Sequence, residues 1–390
     1  MNKGLLTLAI GGFGIGLTEF VIMGILPEIS AAFNITIPKA GHFISAYALG
    51  VVVGAPVLTS IGSKWPANKV LLGLMLWFTI FNTLSAFATG YSSFIILRFL
   101  SGLPHGAFFG IGAVVAGKLS KEGKSAQGIA IMFSGLTFAN LLGVPLGTYL
   151  GKHFSWNLSF LLVGFVGVLV VLSIKFWMPL LKQSSESHFL DDLKIFKRLE
   201  LWLIILLTTI GTGGFFAWYS YIAPLITDVA HHPAEMVSIA MILAGLGMVV
   251  GNFLGAKLTE RFTPMYAVIL ILSAMAVCLA INTFLASDKV MVLIMTFIIG
   301  AVTFCLSTPI QVAIINASEG SETLGSSLNQ SAFNIGNASG AYFAGLPIAM
   351  GYGYTSADWV GAGMATSGVL IALVIIMVRK QRYKKVVNNN

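Results

Sequence analysis

Apolar stretches about twenty residues long recur along this chain, and few sequence features restrict a fold so severely. Residues 70–88 and 158–178 are two examples. A helix of ~20 residues, rising ~1.5 Å per residue, matches the ~30 Å hydrocarbon core of a bilayer. Composition points the same way. Of 390 residues, 57% are hydrophobic and only 9% charged, where a soluble domain carries about a quarter charged residues. So few ionic groups cannot cover a soluble globule of this length, whereas lipid-facing helices are apolar all round. An outer-membrane barrel would instead alternate apolar and polar residues over ~10-residue strands. The expected fold class is therefore an all-α membrane protein.

Apolar windows and their Gly/Pro breakers give twelve transmembrane helices, at 5–27, 40–62, 68–89, 92–117, 126–150, 156–178, 200–226, 235–257, 265–286, 290–315, 322–349 and 358–379. Lys3 before the first run imitates a signal peptide. That run continues past Glu19 without a clear small-residue cleavage site, so it counts as a span. An even number of spans puts both termini on one side. Eighteen of the 22 Lys and Arg residues then fall in loops on that side; Lys39, Lys152 and Lys289 lie opposite, and Arg98 lies within a span. The positive-inside bias makes that side the cytoplasm. The net charge of +8 is thereby explained by an anionic leaflet, with no nucleic-acid partner. Cys278 and Cys305 both lie in apolar runs and read as small core residues, not a disulfide or metal pair.

The one long cytoplasmic loop follows the sixth span. Its segment HFLDDLKIFKR places Phe189, Leu193 and Phe196 on one helical face, away from Asp192, Lys194 and Lys197, as in a short helix lying on the membrane surface. A constant offset of 197 positions relates the two sides of this loop. It pairs Pro27 with Pro224, Gly14 with Gly211, Gly16 with Gly213, Gly54 with Gly251, Lys64 with Arg261, Trp65 with Phe262 and Gly143 with Gly340. Two six-helix halves repeated in the same orientation are expected of one large transporter architecture. The expected organisation is a six-helix bundle at 1–178, a linker at 179–199, a second six-helix bundle at 200–379 and a basic cytoplasmic tail at 380–390.

Two charged side chains fall deep within spans: Glu19 in the first and Arg98 in the fourth. An Arg or Asp at such depth costs at least ~2.5–3.5 kcal/mol, so a function is the default reading. Glu19 is eight residues before Pro27, and Arg98 seven after Tyr91. Counted from the outer ends of their helices, both lie ~10–12 Å inside, and they are expected to face each other. A carboxylate beside Arg is held ionised, and takes up a proton when that contact opens and burial dominates. The alternative is a static ion pair locking two helices. His105, two turns after Arg98 on nearly the same face, is either a proton relay or a histidine packed among Gly102, Gly106 and Phe109.

Glycine recurs every fourth residue as Gly102, Gly106 and Gly110 in the fourth span, and as Gly135, Ala139, Gly143, Gly147 and Gly151 in the fifth. Gly247, Gly251 and Gly255 do the same in the eighth. Such spacing lets helix backbones approach closely. The seventh span groups Phe215, Phe216, Trp218, Tyr219 and Tyr221, at the depth where the first carries Glu19 and Met23. This is either the aromatic wall of a substrate cavity or part of an interfacial aromatic belt. Asn329, Gln330, Asn334 and Asn337 make the eleventh span too polar for lipid contact and suit the same cavity. Gly112 and Gly117-Lys118 imitate a phosphate-binding loop, but Leu119 replaces the required Ser or Thr and no strand precedes it. Without an ATP site, an ion gradient is the simpler energy source.

The segments GLTEFVIMGILPEIS (16–30), ISAYALGVVVGAP (44–56), LRFLSGLPHGAFFG (97–110) and GLTFANLLGVPLG (135–147) carry a family resemblance. The chain resembles the major facilitator superfamily, specifically its drug:proton antiporter branch and the arabinose-efflux-permease-like group within it. The resemblance spans nearly the whole chain and implies two six-helix bundles rocking about a central cavity. By motif match, Arg98 corresponds to the basic residue of the fourth-helix motif linked to proton transfer, and Glu19 to an acidic position in the first helix of related antiporters. Gly143, Pro145 and Gly147 correspond to the fifth-helix antiporter motif, implied to control helix bending and leak. Two departures stand out. Val144 separates the Gly and Pro that are normally adjacent. The loop SKWPANK has Ser63 and Pro66 where the family carries Asp and Gly, leaving only Lys64 and Lys69 of its charged latch.

The leading expectation is proton-coupled export by alternating access, in a monomer at the bacterial inner membrane. The cargo would be a small amphipathic drug-like compound or a sugar, with the proton gradient as energy source and no cofactor or metal. Proton-coupled or facilitated uptake of a sugar or other small solute is the alternative. A non-transporting sensor is a weaker reading, because the loops are short and no partner-binding domain is visible. An enzyme is weakest, because the spans hold no nucleophile–base pair or metal-ligand cluster.

Overall fold

A computed structural model describes residues 2–35, 37–181 and 193–388, and every regular element in it is helical. Eleven helices among the described residues are long and apolar enough to cross a membrane. They are α1 (Lys3–Gly24), α2 (His42–Gly62), α3 (Ala67–Ser85), α4 (Tyr91–Leu119), α5 (Ser125–His153), α6 (Trp156–Trp177), α7 (Leu199–Tyr219), α8 (Met236–Arg261), α9 (Pro264–Leu285), α10 (Lys289–Ala317) and α12 (Ser356–Asn388). The remaining long helix, α11 (Glu322–Ala349), has 28 residues, ample for a span. Its amides make it less apolar than the others.

Proline sets the interruptions, because it removes a backbone donor from the helix ladder. α1 stops at Gly24 and the chain restarts as Leu26–Ala32, with Pro27 in the first turn. Pro224, its partner at the 197 offset, likewise follows the end of α7 and precedes a π-turn over Leu225–Val229. In α5 a π-turn occupies Ala139–Gly143, where the Val144 N–H bonds the Ala139 carbonyl five residues back, immediately before Pro145. A widened turn is one way a helix accommodates a missing donor. It falls on the segment where Val144 separates Gly143 from Pro145.

The chain divides into two compact units: Met1–Asp192 with Gly320–Ser331, and Leu193–Glu319 with Ala332–Asn390. The first turns of α11 thus group with the first unit, not with the 200–379 bundle expected from the sequence. Ser327 shares a 2.6 Å hydrogen bond with Thr59, and Ser331 donates to the Val52 carbonyl at 3.1 Å. In the first unit α2 crosses α4 with backbones touching: a Cβ on Gly102 would overlap the Tyr47 carbonyl, and one on Gly54 would overlap Leu103. In the second unit α8 crosses α10 in the same way, Gly247 meeting the Phe297 carbonyl and Gly251 that of Ala301. Glycine is needed at these crossings because any side chain would separate the helices.

Most of the linker lies outside the described residues. The described residues show one 3₁₀ turn, Leu193–Lys197; Phe189 and Asp192 lie outside the described residues. Arg198 donates to the carbonyls of Ala317 and Glu319, so it caps the C-terminal end of α10. Phe196 packs on Trp202, whose indole N–H donates to the Phe196 carbonyl at 2.8 Å.

Candidate functional site

Four helices of the first unit converge on Arg98. Its side chain is fully buried, at 0% exposure. One terminal nitrogen donates to the Thr18 hydroxyl of α1 at 3.0 Å and the other to the Thr18 carbonyl at 3.3 Å. The hydroxyl itself donates a hydrogen bond to Asn82 Oδ1 of α3 at 2.5 Å, and Asn82 is oriented by donating to the Phe78 carbonyl one turn back. The guanidinium lies 4.3 Å from the ring centroid of Tyr47 on α2 and 5.7 Å from that of Phe160 on α6. These are favourable cation–π placements. Arg98 Nε is buried without a hydrogen-bond partner.

The expected Glu19–Arg98 ion pair is not formed. Among the described residues, the guanidinium bonds Thr18, and no contact within ion-pair distance joins it to Glu19. The reason is helical geometry: consecutive residues point ~100° apart, so when Thr18 faces α3 and α4 the Glu19 side chain is swung aside, where it is only partly buried. Glu19, Arg98 and Tyr47 still lie within Coulombic range of one another. A lone buried cation thus acts at a distance on a partly accessible carboxylate.

His105 extends the cluster. Its Nδ1 shares a 3.1 Å hydrogen bond with the Tyr47 hydroxyl, and its ring packs 5.3 Å from that of Phe109. Tyr47 therefore joins the two α4 side chains, its ring against Arg98 and its hydroxyl on His105. On the far side Phe94 packs edge-to-face with Phe43, Trp156 and Phe160, and Met23 is partly buried against this aromatic group. Thr18, Tyr47 and Asn82 do not stand out in the sequence; Thr18 and Tyr47 lie within motif segments, but Thr, Tyr and Asn are unremarkable in a polar-lined span.

The other candidates divide between the units. Met23, Asn329 and Gln330 belong to the first, and Phe215, Phe216, Trp218, Tyr219, Asn334 and Asn337 to the second. Phe215 stacks on Tyr219 with centroids 5.0 Å apart and also packs on Phe216, Trp218 and Phe304 of α10. Trp218 is 1% exposed, so it is not part of a lipid-facing belt, and its indole N–H is buried without a hydrogen-bond partner. Asn329, Gln330 and Asn334 are buried, and Asn337 is partly so. Gly106 meets Ala55 on α2, while Gly143 and Gly147 face Leu17 and Val21 of α1. The family motif around Pro145 thus lies along the helix that carries Thr18 and Glu19. Among the described residues no cluster of His, Cys, Asp and Glu could hold a metal ion.

Comparison with known proteins adds a second kind of observation. The sequence pattern of the Major Facilitator Superfamily matches residues 8–341 and, again, 221–390. AraJ of Escherichia coli (strain K12) is 39% identical over 91% of this chain and 90% of its own length. The inner membrane transport protein YdhP of the same strain is 39% identical over 98% and 97%. A chloramphenicol resistance protein of Streptomyces lividans is 26% identical over 95% and 94%. A crystal structure of the Escherichia coli fucose:proton symporter FucP superposes with a TM-score of 0.78 and 15% identity, covering 96% of this chain and 99% of that one. At such low identity this last likeness concerns the fold alone.

Proposed function

Because the chain belongs to the major facilitator superfamily, in the group of AraJ and YdhP, it is a small-molecule membrane transporter and not an enzyme, and on that premise we propose that it exports its substrate in exchange for protons. The observation that carries this reading is the buried Arg98 held by Thr18 and Tyr47 rather than by a carboxylate, with Glu19 beside it and partly accessible. A carboxylate in the field of a nearby cation favours its ionised form, and one shut away from that field favours its protonated form. Movement of α1 against α4 during alternating access therefore changes proton affinity at Glu19. His105, hydrogen-bonded to Tyr47, shares in the same rearrangement. Gly143, Pro145 and Gly147, beside the π-turn of α5, supply the bending that lets α1 move.

Within the second unit, Phe215, Phe216, Trp218 and Tyr219, with Asn334 and Asn337 on α11, suit an amphipathic compound bearing a flat apolar portion and polar groups. The name of the Streptomyces relative supports export of such a compound, and the name of YdhP supports placement in the bacterial inner membrane. The loop charges support cytoplasmic termini. The transporter works as a monomer and without a cofactor, on the proton gradient.

Inverted membrane vesicles with an acidic lumen test the direction, with radiolabelled chloramphenicol as the first probe and a panel of amphipathic compounds and sugars beside it. Export by exchange accumulates a compound in the lumen as protons leave. Proton-coupled uptake drives a preloaded compound out of the lumen instead, and that result overturns the proposal.

A further inference from the structure

The second unit has no counterpart of Glu19, because the 197 offset places Phe216 there. It does hold a buried acid of its own. Asp358, in the first turn of α12, is 0% exposed. Its Oδ2 accepts one hydrogen bond, from Asn282 Nδ2 of α9 at 3.0 Å. Its Oδ1 and the Asn282 Oδ1 are both buried and have no hydrogen-bond partner.

An acid in the first turn of a helix ordinarily serves as a cap, ionised and bonded to the free N–H groups there. Asp288, the N-cap residue just before α10, does this, accepting from the N–H groups of Val290 and Met291 at 2.9 and 2.8 Å. Asp358 does not. The N–H groups of Ser356, Ala357 and Asp358 itself are bonded to the carbonyls of Gly353, Tyr354 and Thr355. Charge pairing does not explain it either, because no charged side chain among the described residues acts on Asp358. The titratable groups around it are neutral in character. On α9 there is Cys278, one turn from Asn282; Tyr219 ends α7, and Tyr221 follows it, donating to the Ala341 carbonyl at 3.2 Å; on α11, the exposed Tyr342. Tyr352 and Tyr354 precede α12, and α12 itself has no other ionisable residue before Arg379.

We infer that Asp358 carries a proton and forms with Asn282 a second proton-binding site, wholly within the second unit. An ionised Asp358 would leave a buried charge with one hydrogen bond and two acceptor oxygens unsatisfied, an expensive arrangement. One proton on Oδ1 changes both. It removes the charge, and it supplies the missing donor for Asn282 Oδ1, completing the two-point pairing that a carboxylic acid and a carboxamide make. The site joins α9 to α12 and is coupled to pH. When the proton leaves, the pairing loses one of its two hydrogen bonds. Its existence does not depend on the direction of transport or on Glu19.

Infrared spectroscopy of the purified, lipid-reconstituted protein tests this. A Glu19→Gln background removes the acid in the middle of α1. That variant shows the carbonyl stretch of a protonated carboxyl at neutral pH, and the band disappears on alkalinisation. Adding Asp358→Asn abolishes the band. Adding Asn282→Leu instead, which keeps the acid and removes its partner, moves the band to higher frequency, and this arm stands even where the Asp358 variant does not fold. Absence of the band from Glu19→Gln at neutral pH overturns the inference, as does a band that neither substitution alters.

Discussion

Thr18→Val is the sharpest test of how Arg98 is held. Valine matches threonine in shape and removes only the hydroxyl, which is buried and serves two partners at once, Arg98 Nη1 at 3.0 Å and Asn82 Oδ1 at 2.5 Å. Interhelical hydrogen bonds in membranes average ~0.6 kcal/mol, whereas one to a charged group contributes about 1.5–3 kcal/mol. The charged bond therefore dominates, and the expected cost is roughly 2–4 kcal/mol. Arg98 keeps its bond to the Thr18 carbonyl, which holds the loss within that range. Thr18→Ser is the control: it keeps the hydroxyl and gives up one methyl, about 0.8 kcal/mol. Equilibrium unfolding of the purified variants in mixed micelles, followed by tryptophan fluorescence, reads the two side by side. If valine costs no more than serine, the hydroxyl does not hold the guanidinium, and the network built on it is refuted.

Glycine substitutions at two contrasting places give opposite results. Gly102→Val drives a side chain into the Tyr47 carbonyl, costs at least about 1–3 kcal/mol by overpacking, and lowers the folded yield in size-exclusion chromatography. Gly73→Ala, with open space around the added methyl, instead raises stability by about 0.5–1 kcal/mol. Tyr47→Phe keeps the ring against Arg98 but removes the hydroxyl bonded to His105. It costs about 1 kcal/mol, and Tyr47→Leu costs more because the cation–π contact goes too; unfolding in micelles ranks them. Arg379 lies 2.6 Å from Glu200, with side-chain exposures of 35% and 15%. Solvent screening holds the effect of Arg379→Gln to about 0.5–1 kcal/mol, and the difference from wild type shrinks at high salt.

Span positions were legible because the physics that sets them is local: a helix must stay apolar for the bilayer's width. Even α11, with its four amides, was found by length and by the breakers around it. Arg98 stood out for the same reason, as a charge where lipid excludes charge. Depth could be counted from the helix ends. Facing could not be counted, because it depends on the rotation of each helix about its axis, and packing sets that. Thr18 rather than Glu19 meets the guanidinium as a result. Tyr47 and Asn82 were invisible for a related reason: each gains its role only where separate helices converge. Asp358 does not stand out in the sequence, because it falls on the first residue of its expected span, where position alone does not show burial. Its burial beside Asn282 follows from the packing of α12 on α9.

In the proposed exchange, proton movement is tied to substrate movement through Glu19. Purified wild type and Glu19→Gln, reconstituted into vesicles containing a pH-sensitive dye, report it directly when the compounds identified by vesicle accumulation are added. Coupled exchange evokes a lumenal pH change in the wild type. In Glu19→Gln that change is lost, while exchange of labelled for unlabelled compound persists. Compound flux without any pH change in the wild type, or an undiminished pH change in Glu19→Gln, would contradict it.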